Sequence, residues 1–285
     1  MTLVSQAPAT VTAPSVVLAR PVPGRRRRHP LATPGVLASF VVVLVILGWA
    51  LVPGLFTAAD PLVGVPADKL SAPSAQHWFG TDNLGRDLYA RTVHGTGLSL
   101  QAALLALGLG LAVGALVGLV AGYLGGAVDA VLMRTTDVLL AIPGLLLSLA
   151  VVTALGFGTL KVAIAVGVAE VATFARVMRA EVLRVRTTTY VEAAVLARHV
   201  LPNAAAPILV LATVQLGVIV LAVSSLSFLG FGAVPPTPEW GSLVAEGRNY
   251  LSVAWWFTTL PGLVIAALVL AANRLGRLLE GRAHR

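Results

Sequence analysis

Six apolar stretches, at 35–56, 98–123, 138–155, 160–177, 207–228 and 254–272, constrain this chain more than any other feature of its sequence. Each has about the 18 residues that let an apolar helix cross a bilayer. The first is an unbroken run of Val, Leu and Ile with no charge, and a helix apolar on every side lies in lipid around much of its surface. Of the 285 residues, 57% are hydrophobic and 11% charged, with a mean hydropathy of +0.89. A soluble domain is far more polar. The fold class that follows is all-α, a polytopic membrane protein with six transmembrane helices.

Charge orients the spans. With the N-terminus inside, fifteen of the 20 basic residues fall in inner segments, among them Arg25, Arg26, Arg27 and Arg28 directly before the first span. Lys69, Arg86, Arg91, Lys161 and Arg248 fall outside. A Lys/Arg excess marks the cytoplasmic side, so both termini are expected in the cytoplasm. The net charge of +8 does not point to nucleic acid, because the basic residues gather on one side of the membrane and not on a soluble face. Residues 1–29 read as a disordered cytoplasmic tail, 30–96 as the first span with an external segment, 97–276 as a five-helix core and 277–285 as a cytoplasmic tail.

Along the chain, Gly80-Thr81-Asp82-Asn83-Leu84-Gly85-Arg86-Asp87 is built of turn formers. Asp82, Arg86 and Asp87 read there as a mutually paired cluster. Two carboxylates beside an arginine do not make the oxygen cage of a metal site. Gly110, Gly114, Gly118 and Gly122 recur every fourth residue, on one helix face where another helix can approach closely. Residues 125–137 read as a short inner turn, with Asp129 or Asp137 available to Arg134. Pro143 removes a backbone donor and is expected to kink the third span. Glu170 lies inside the fourth, where a carboxylate faces the subunit interior or inner interface, or serves transport directly. Pro235, Pro236 and Pro238 forbid regular helix in an outer loop, which reads as a contact for a delivery protein or as an interfacial anchor through Trp240.

Between Phe174 and Val210 lies a polar island with Arg176, Arg179, Arg184, Arg186 and Arg198. A cytoplasmic loop that sets orientation and a docking surface for a soluble partner both fit it. Within it, Tyr190-Val191-Glu192-Ala193-Ala194 and Arg198-His199-Val200-Leu201-Pro202-Asn203 resemble the EAA loop of ABC-importer permeases. The match is to the C-type subunit of dipeptide and oligopeptide importers. GTDNLGRD, LSFLGFG and PPTPEWG resemble the same family, and the resemblance runs over about 30–276. It implies the type I importer permease fold and an ATPase-coupling loop at 187–203 with Tyr190, Glu192, Ala193, Ala194, Arg198 and His199. The implied partners are a second permease, two cytoplasmic ATPases that bind ATP and Mg, an external peptide-binding protein and a peptide substrate. This sequence lacks the glycine that follows EAA in the family, and its spacing to Leu201-Pro202 is shorter by roughly two to three helical turns.

No engine is visible in the chain itself. G-x-x-x-x-G-K, H-E-x-x-H and G-x-S-x-G are all absent from the sequence, so a P-loop, a zinc pair of that type and a serine nucleophile elbow have no support. With no cysteine, disulfides and thiolate metal sites are excluded. The chain is expected to be non-catalytic and to hold no cofactor. A self-sufficient, ion-coupled secondary transporter is the competing reading. It needs buried ionisable groups near the midplane and internal repeats, and Glu170 is the single candidate.

Overall fold

The computed structural model describes residues 34–188 and 201–283, and every regular element among them is a helix. In order these are α1 (Pro34–Leu51), α2 (Leu88–Leu124), α3 (Gly126–Ala141), α4 (Gly144–Leu155), α5 (Thr159–Thr188), α6 (Leu201–Phe228), α7 (Trp240–Gly247) and α8 (Trp256–Ala283). A helix pairs its backbone groups within itself, as a hydrocarbon surrounding demands. The all-α class therefore holds.

Contacts fix how the segments run. Trp49 near the end of α1 packs on Tyr89 at the start of α2, their rings 5.7 Å apart. Gly158, just before α5, donates to the Phe231 carbonyl just after α6 at 2.9 Å. Trp240 donates from its indole to the carbonyl of Thr92 in α2 at 3.1 Å. At the far end, Gly35 of α1 lies against Arg274 of α8. Taken in sequence, α1, α2, α3 with α4, α5, α6 and α8 alternate in direction. One end of the bundle carries Asp82 and α7. The other carries α3 and the arginines of late α5.

The second helix begins at Leu88, ten residues before the apolar run that marks it in the sequence. Asp87 explains the difference. Its carboxylate accepts the Ala90 N–H at 2.7 Å, which satisfies one of the unpaired donors at the helix start. A capped first turn tolerates the polar residues Arg91, Thr92 and His94 that hydropathy reads as loop.

The glycine face of α2 meets α5, which runs parallel to it. A Cβ on Gly110 would lie 2.7 Å from the Glu170 Cβ, one on Gly114 2.6 Å from the Phe174 Cβ, and one on Gly118 2.8 Å from the Met178 Cβ. On Gly122 it would lie 2.9 Å from Val182. Backbones this close leave no room for a methyl. Gly118→Leu is expected to destabilise the protein by at least 1–3 kcal/mol, roughly the cost of overpacking, read as aggregation on size exclusion in detergent. Gly108→Ala serves as the control. Its Cβ meets nothing within 4 Å, and replacing a helical glycine there is expected to be neutral or stabilising by about 0.5–1 kcal/mol.

Two expectations are corrected around Pro143. Residues 125–137 are not a turn, since they form most of helix α3. Nor does Pro143 kink one helix, for α3 and α4 are separate and meet at 94°. Ile142 is extended (φ −93°, ψ 129°), as the steric pressure of a following proline requires. Pro143 is extended as well (φ −52°, ψ 128°). Two extended residues in succession turn the chain sharply. With 12 residues, α4 is about 18 Å long, short of a hydrocarbon core of about 30 Å.

Among the described residues, four helices qualify as spans by length and apolarity, α1, α2, α6 and α8, or five if α3 and α4 count as one. Helix α5 has 30 residues but carries Lys161, Glu170, Arg176, Arg179, Glu181 and Arg184, too many charges to qualify on composition.

Candidate functional site

The GTDNLGRD turn is held by its own backbone. Gly85 sits at φ 75°, and a side chain there would run into the Val65 carbonyl, so only glycine fits. Gly80 is also left-handed, at φ 72°. The buried Thr81 hydroxyl accepts the Ser71 N–H at 2.8 Å and donates to the Asp68 carbonyl. One oxygen of Asp82 accepts the N–H groups of Leu84 and Arg86 at 2.8 and 2.9 Å. The other receives Arg86 Nε at 2.6 Å and Arg91 Nη1 at 2.8 Å. Glu246 of α7 closes the cluster, 2.7 Å from Arg91 and 3.3 Å from Arg86. Two arginines thus face two carboxylates, with Asp82 and Arg91 both 0% exposed.

Local pairing of Asp82 with Arg86 is present. Asp87 does not join them. It is spent on the α2 cap and on His77, whose Nδ1 lies 2.8 Å from Oδ2. Arg91 and Glu246 take the place the sequence reading gave to Asp87. The cluster consequently ties the turn to α2 and to a helix some 155 residues further on.

Pro235, Pro236 and Thr237 of the proline-rich loop are exposed, but Trp240 is not the interfacial anchor that its sequence position suggested. Trp240 is fully buried, its indole N–H donating to the Thr92 carbonyl. Its backbone N–H donates to Ser99 Oγ at 3.1 Å. Beside it Glu239, also buried, receives the Ser227 hydroxyl at 2.5 Å and the Ala233 N–H at 2.8 Å. Burial pushes the Glu239 carboxyl above the usual carboxylate range, against the opposing pull of the Ser227 and Ala233 hydrogen bonds. A folded-state pKa above the unfolded one makes the ionised form the costly one. The contribution of Glu239 to stability is then full below the unfolded pKa and falls as pH rises through the folded value. Glu239→Gln is expected to keep the loop and flatten this pH dependence, measured by thermal unfolding at acid and alkaline pH. Glu239→Ala leaves buried donors unpaired and is expected to cost about 1–3 kcal/mol.

At the other end of the bundle Arg179 binds Asp129 in a fork, at 2.5 and 2.6 Å, and Arg176 reaches Asp137 at 2.7 Å. Both aspartates thus pair with α5, and not with Arg134 as the reading of a local turn had it. The coupling-loop candidates Tyr190, Glu192, Ala193, Ala194, Arg198 and His199 lie outside the described residues.

Glu170 is half-buried about 16 Å along α5, counted at 1.5 Å per residue. Its Oε2 receives the Gln215 amide at 2.7 Å, joining α5 to α6. Among the described residues no second ionisable group joins this pair, and no group of three or more metal-ligating side chains occurs. Glu246, Glu239 and Gln215 were missed in the sequence. In so apolar a chain, each of twelve acidic residues invites a search for its partner.

Long apolar helices, with ion pairs gathered at the two ends and a Glu170–Gln215 hydrogen bond midway, define an integral membrane protein. The chain belongs to the family of binding-protein-dependent transport system inner membrane components, whose model matches residues 114–285. It is therefore a permease subunit of the ABC-importer class, a multi-pass membrane component that works with ATPase and binding-protein partners. Similar proteins include the glutathione transport system permease protein GsiD of Shigella flexneri serotype 5b (strain 8401), 42% identical over 261 residues, or 88% of this chain and 84% of that protein. The same-named protein of Escherichia coli O6:K15:H31 (strain 536 / UPEC) is 40% identical over the same shares, and that of Shigella dysenteriae serotype 1 (strain Sd197) 41%. These comparisons lend no support to an ion-coupled secondary transporter.

Proposed function

We propose that this chain forms one half of the pathway of an ATP-driven importer for small peptides, with glutathione, itself a tripeptide, as the foremost candidate. The observation that carries the substrate class is the 42% identity to a glutathione permease over 88% of the chain. The other half is a second permease. Two cytoplasmic ATPases bind ATP and Mg, so that this chain needs no cofactor, and an external peptide-binding protein delivers the substrate. The alternation of six helical segments supports six spans in a type I fold, with α5 the one shielded by its neighbours. The end bearing Arg176, Arg179, Arg184, Arg274 and Arg277 suits the cytoplasm, which supports the reading of both termini as cytoplasmic. Glu192 and its neighbours form the coupling loop, and the Asp82 cluster braces the outer end. Glu170 links two helices of the pathway through Gln215.

The test is a pull-down of the tagged protein from mild detergent, with mass spectrometry and an ATPase assay. A second permease and ATPases recovered together support the reading. A permease partner without ATPase would keep the family and remove coupling through the short loop. A stable lone protein would overturn the complex.

A further inference from the structure

Helix α8 ends in positive charge that the rest of the bundle leaves unpaired. At the α3 end, Arg176, Arg179 and Arg184 are held by Asp137, Asp129 and Glu181. Arg274 and Arg277 of α8 lie at the same end. Both are exposed, and neither has an ion pair among the described residues. The sequence around them supplies little compensation. Arg20 and Arg25 to Arg28 precede α1, and Arg274, Arg277, Arg282 and Arg285 close the chain, while Glu280 is the one carboxylate within 1–33 and 274–285. Orientation by charge asks only for an arginine excess on one side of the membrane. Two observations give Arg274 and Arg277 a more specific task.

The first is their register. Leu270 is 68% exposed, and Arg274 and Arg277 follow it by four and seven residues, which puts all three on one helix face. Leu263, also exposed, extends that face by two further turns. From Leu263 to Arg274 the helix rises about 16 Å, roughly half of a hydrocarbon core of about 30 Å. The face is thus an apolar lane one leaflet deep, with a cationic end. The second observation is the position of Arg274. Its guanidinium lies over Gly35 at the start of α1, in the space a side chain there would fill. A second apolar surface begins at that point, since Leu37, Val41 and Leu44 of α1 are exposed.

We propose that Arg274 and Arg277 bind the phosphate of an anionic phospholipid. One acyl chain lies along the lane from Leu270 to Leu263 and the other against the start of α1. This inference needs only that the chain spans a membrane and does not rest on the peptide reading. A guanidinium presents a planar fork of donors that matches phosphate oxygens. A zwitterionic lipid has the same phosphate, but its own ammonium competes with the arginines for it, so the site prefers a headgroup without one. A soluble acidic partner would match the charge alone. It would not match the lane, which leads away from the arginines into the bilayer.

Native mass spectrometry of the full-length protein, purified in mild detergent with the subunits it retains, tests the site. The probes are dioleoyl-phosphatidylglycerol and dioleoyl-phosphatidylcholine at equal concentration. The wild type is expected to bind the first about tenfold or more tightly than the second, given two basic side chains at about fivefold each. Arg274→Gln and Arg277→Gln should each weaken phosphatidylglycerol binding about fivefold and leave phosphatidylcholine unchanged. Arg176→Gln, whose arginine is already paired, should change neither. Equal binding of the two lipids by the wild type overturns the site without recourse to any variant. So does a loss in the α8 variants no larger than that in Arg176→Gln. Displacement of phosphatidylglycerol by inorganic phosphate would assign the arginines to a soluble anion and overturn the lipid. Loss of co-purifying ATPase from the α8 variants, with lipid binding unchanged, would assign them to a protein partner and overturn it as well.

Discussion

Replacing Asp82 by Ala is expected to cost about 3–5 kcal/mol, the scale for removing one partner of a buried ion pair. Four hydrogen bonds converge on this carboxylate, two from backbone N–H groups and two from arginines. Without it, Arg86 keeps only a 3.3 Å contact with Glu246. Arg91 also turns to Glu246, so that one carboxylate faces two guanidiniums. Arg91 is 0% exposed and has no route to water, and a buried unpaired charge is what makes such deletions severe. The stability of a domain is itself only about 5–15 kcal/mol. Asp82→Ala should therefore yield little folded protein, seen in recovery from detergent and in thermal unfolding. Asp82→Asn keeps the shape and loses the charge, so its loss should be intermediate. Arg176→Ala is the control, because the Arg176–Asp137 pair is 58% and 55% exposed and an open pair is worth about 0–1 kcal/mol. Equal melting of Asp82→Ala and wild type would mean that Glu246 alone neutralises both arginines.

The helices of this bundle were legible where burial in lipid wrote a continuous apolar run, as in α1 and α6. They were not legible where tertiary contacts replaced that signal. Helix α3 contains Asp129, Arg134 and Asp137, charges that read as a turn until α5 supplies Arg179 and Arg176 as partners. Helix α7 follows three prolines closely, yet Pro238 precedes it by two residues and Trp240 starts it cleanly. The glycine face of α2 could be read as a packing face, but not that α5 was its partner. At the Asp82 cluster the turn chemistry and the Arg86 pairing are local, and so they show in the sequence. Glu246 arrives from another helix, and no spacing rule reaches it. Asp87 was misassigned because two local roles competed, ion pairing and capping, and the helix start decided for the cap.

The ion pairs also differ in kind between the two ends. At the Asp82 end they are dry and shared among four side chains, and they tie a turn, α2 and α7 into one body. At the Arg179 end they are partly or fully exposed and run between α3 and α5. Exposed pairs exchange with water at little cost. A pathway that opens and closes needs one end that can move and one that holds register, and α3, short and turned 94° from α4, lies at the end with the weaker ties.

The proposed coupling to an ATPase makes Glu192→Lys the sharpest functional test. Glu192 stands in Tyr190-Val191-Glu192-Ala193-Ala194, between α5 and α6, and the small alanines beside it suit a segment that seats in a groove. A carboxylate there is fitted for a charge-assisted contact with a basic group of the ATPase. Losing one side of such a contact at an interface costs about 2–5 kcal/mol, and lysine adds repulsion to that loss. Since about 1.4 kcal/mol is tenfold in affinity, uptake should fall at least about a hundredfold. Membrane insertion should be unchanged, because the substitution lies outside every apolar run. Two measurements separate the outcomes. Uptake reports transport, and co-purification of the ATPase reports docking, so coupling through Glu192 requires both to fall together. Lost uptake with the ATPase still bound would place Glu192 after docking, in the transmission of movement. Uptake at the wild-type level would remove Glu192 from coupling altogether, and leave the shortened segment between Glu192 and Leu201 as a connection that the ATPase does not grip.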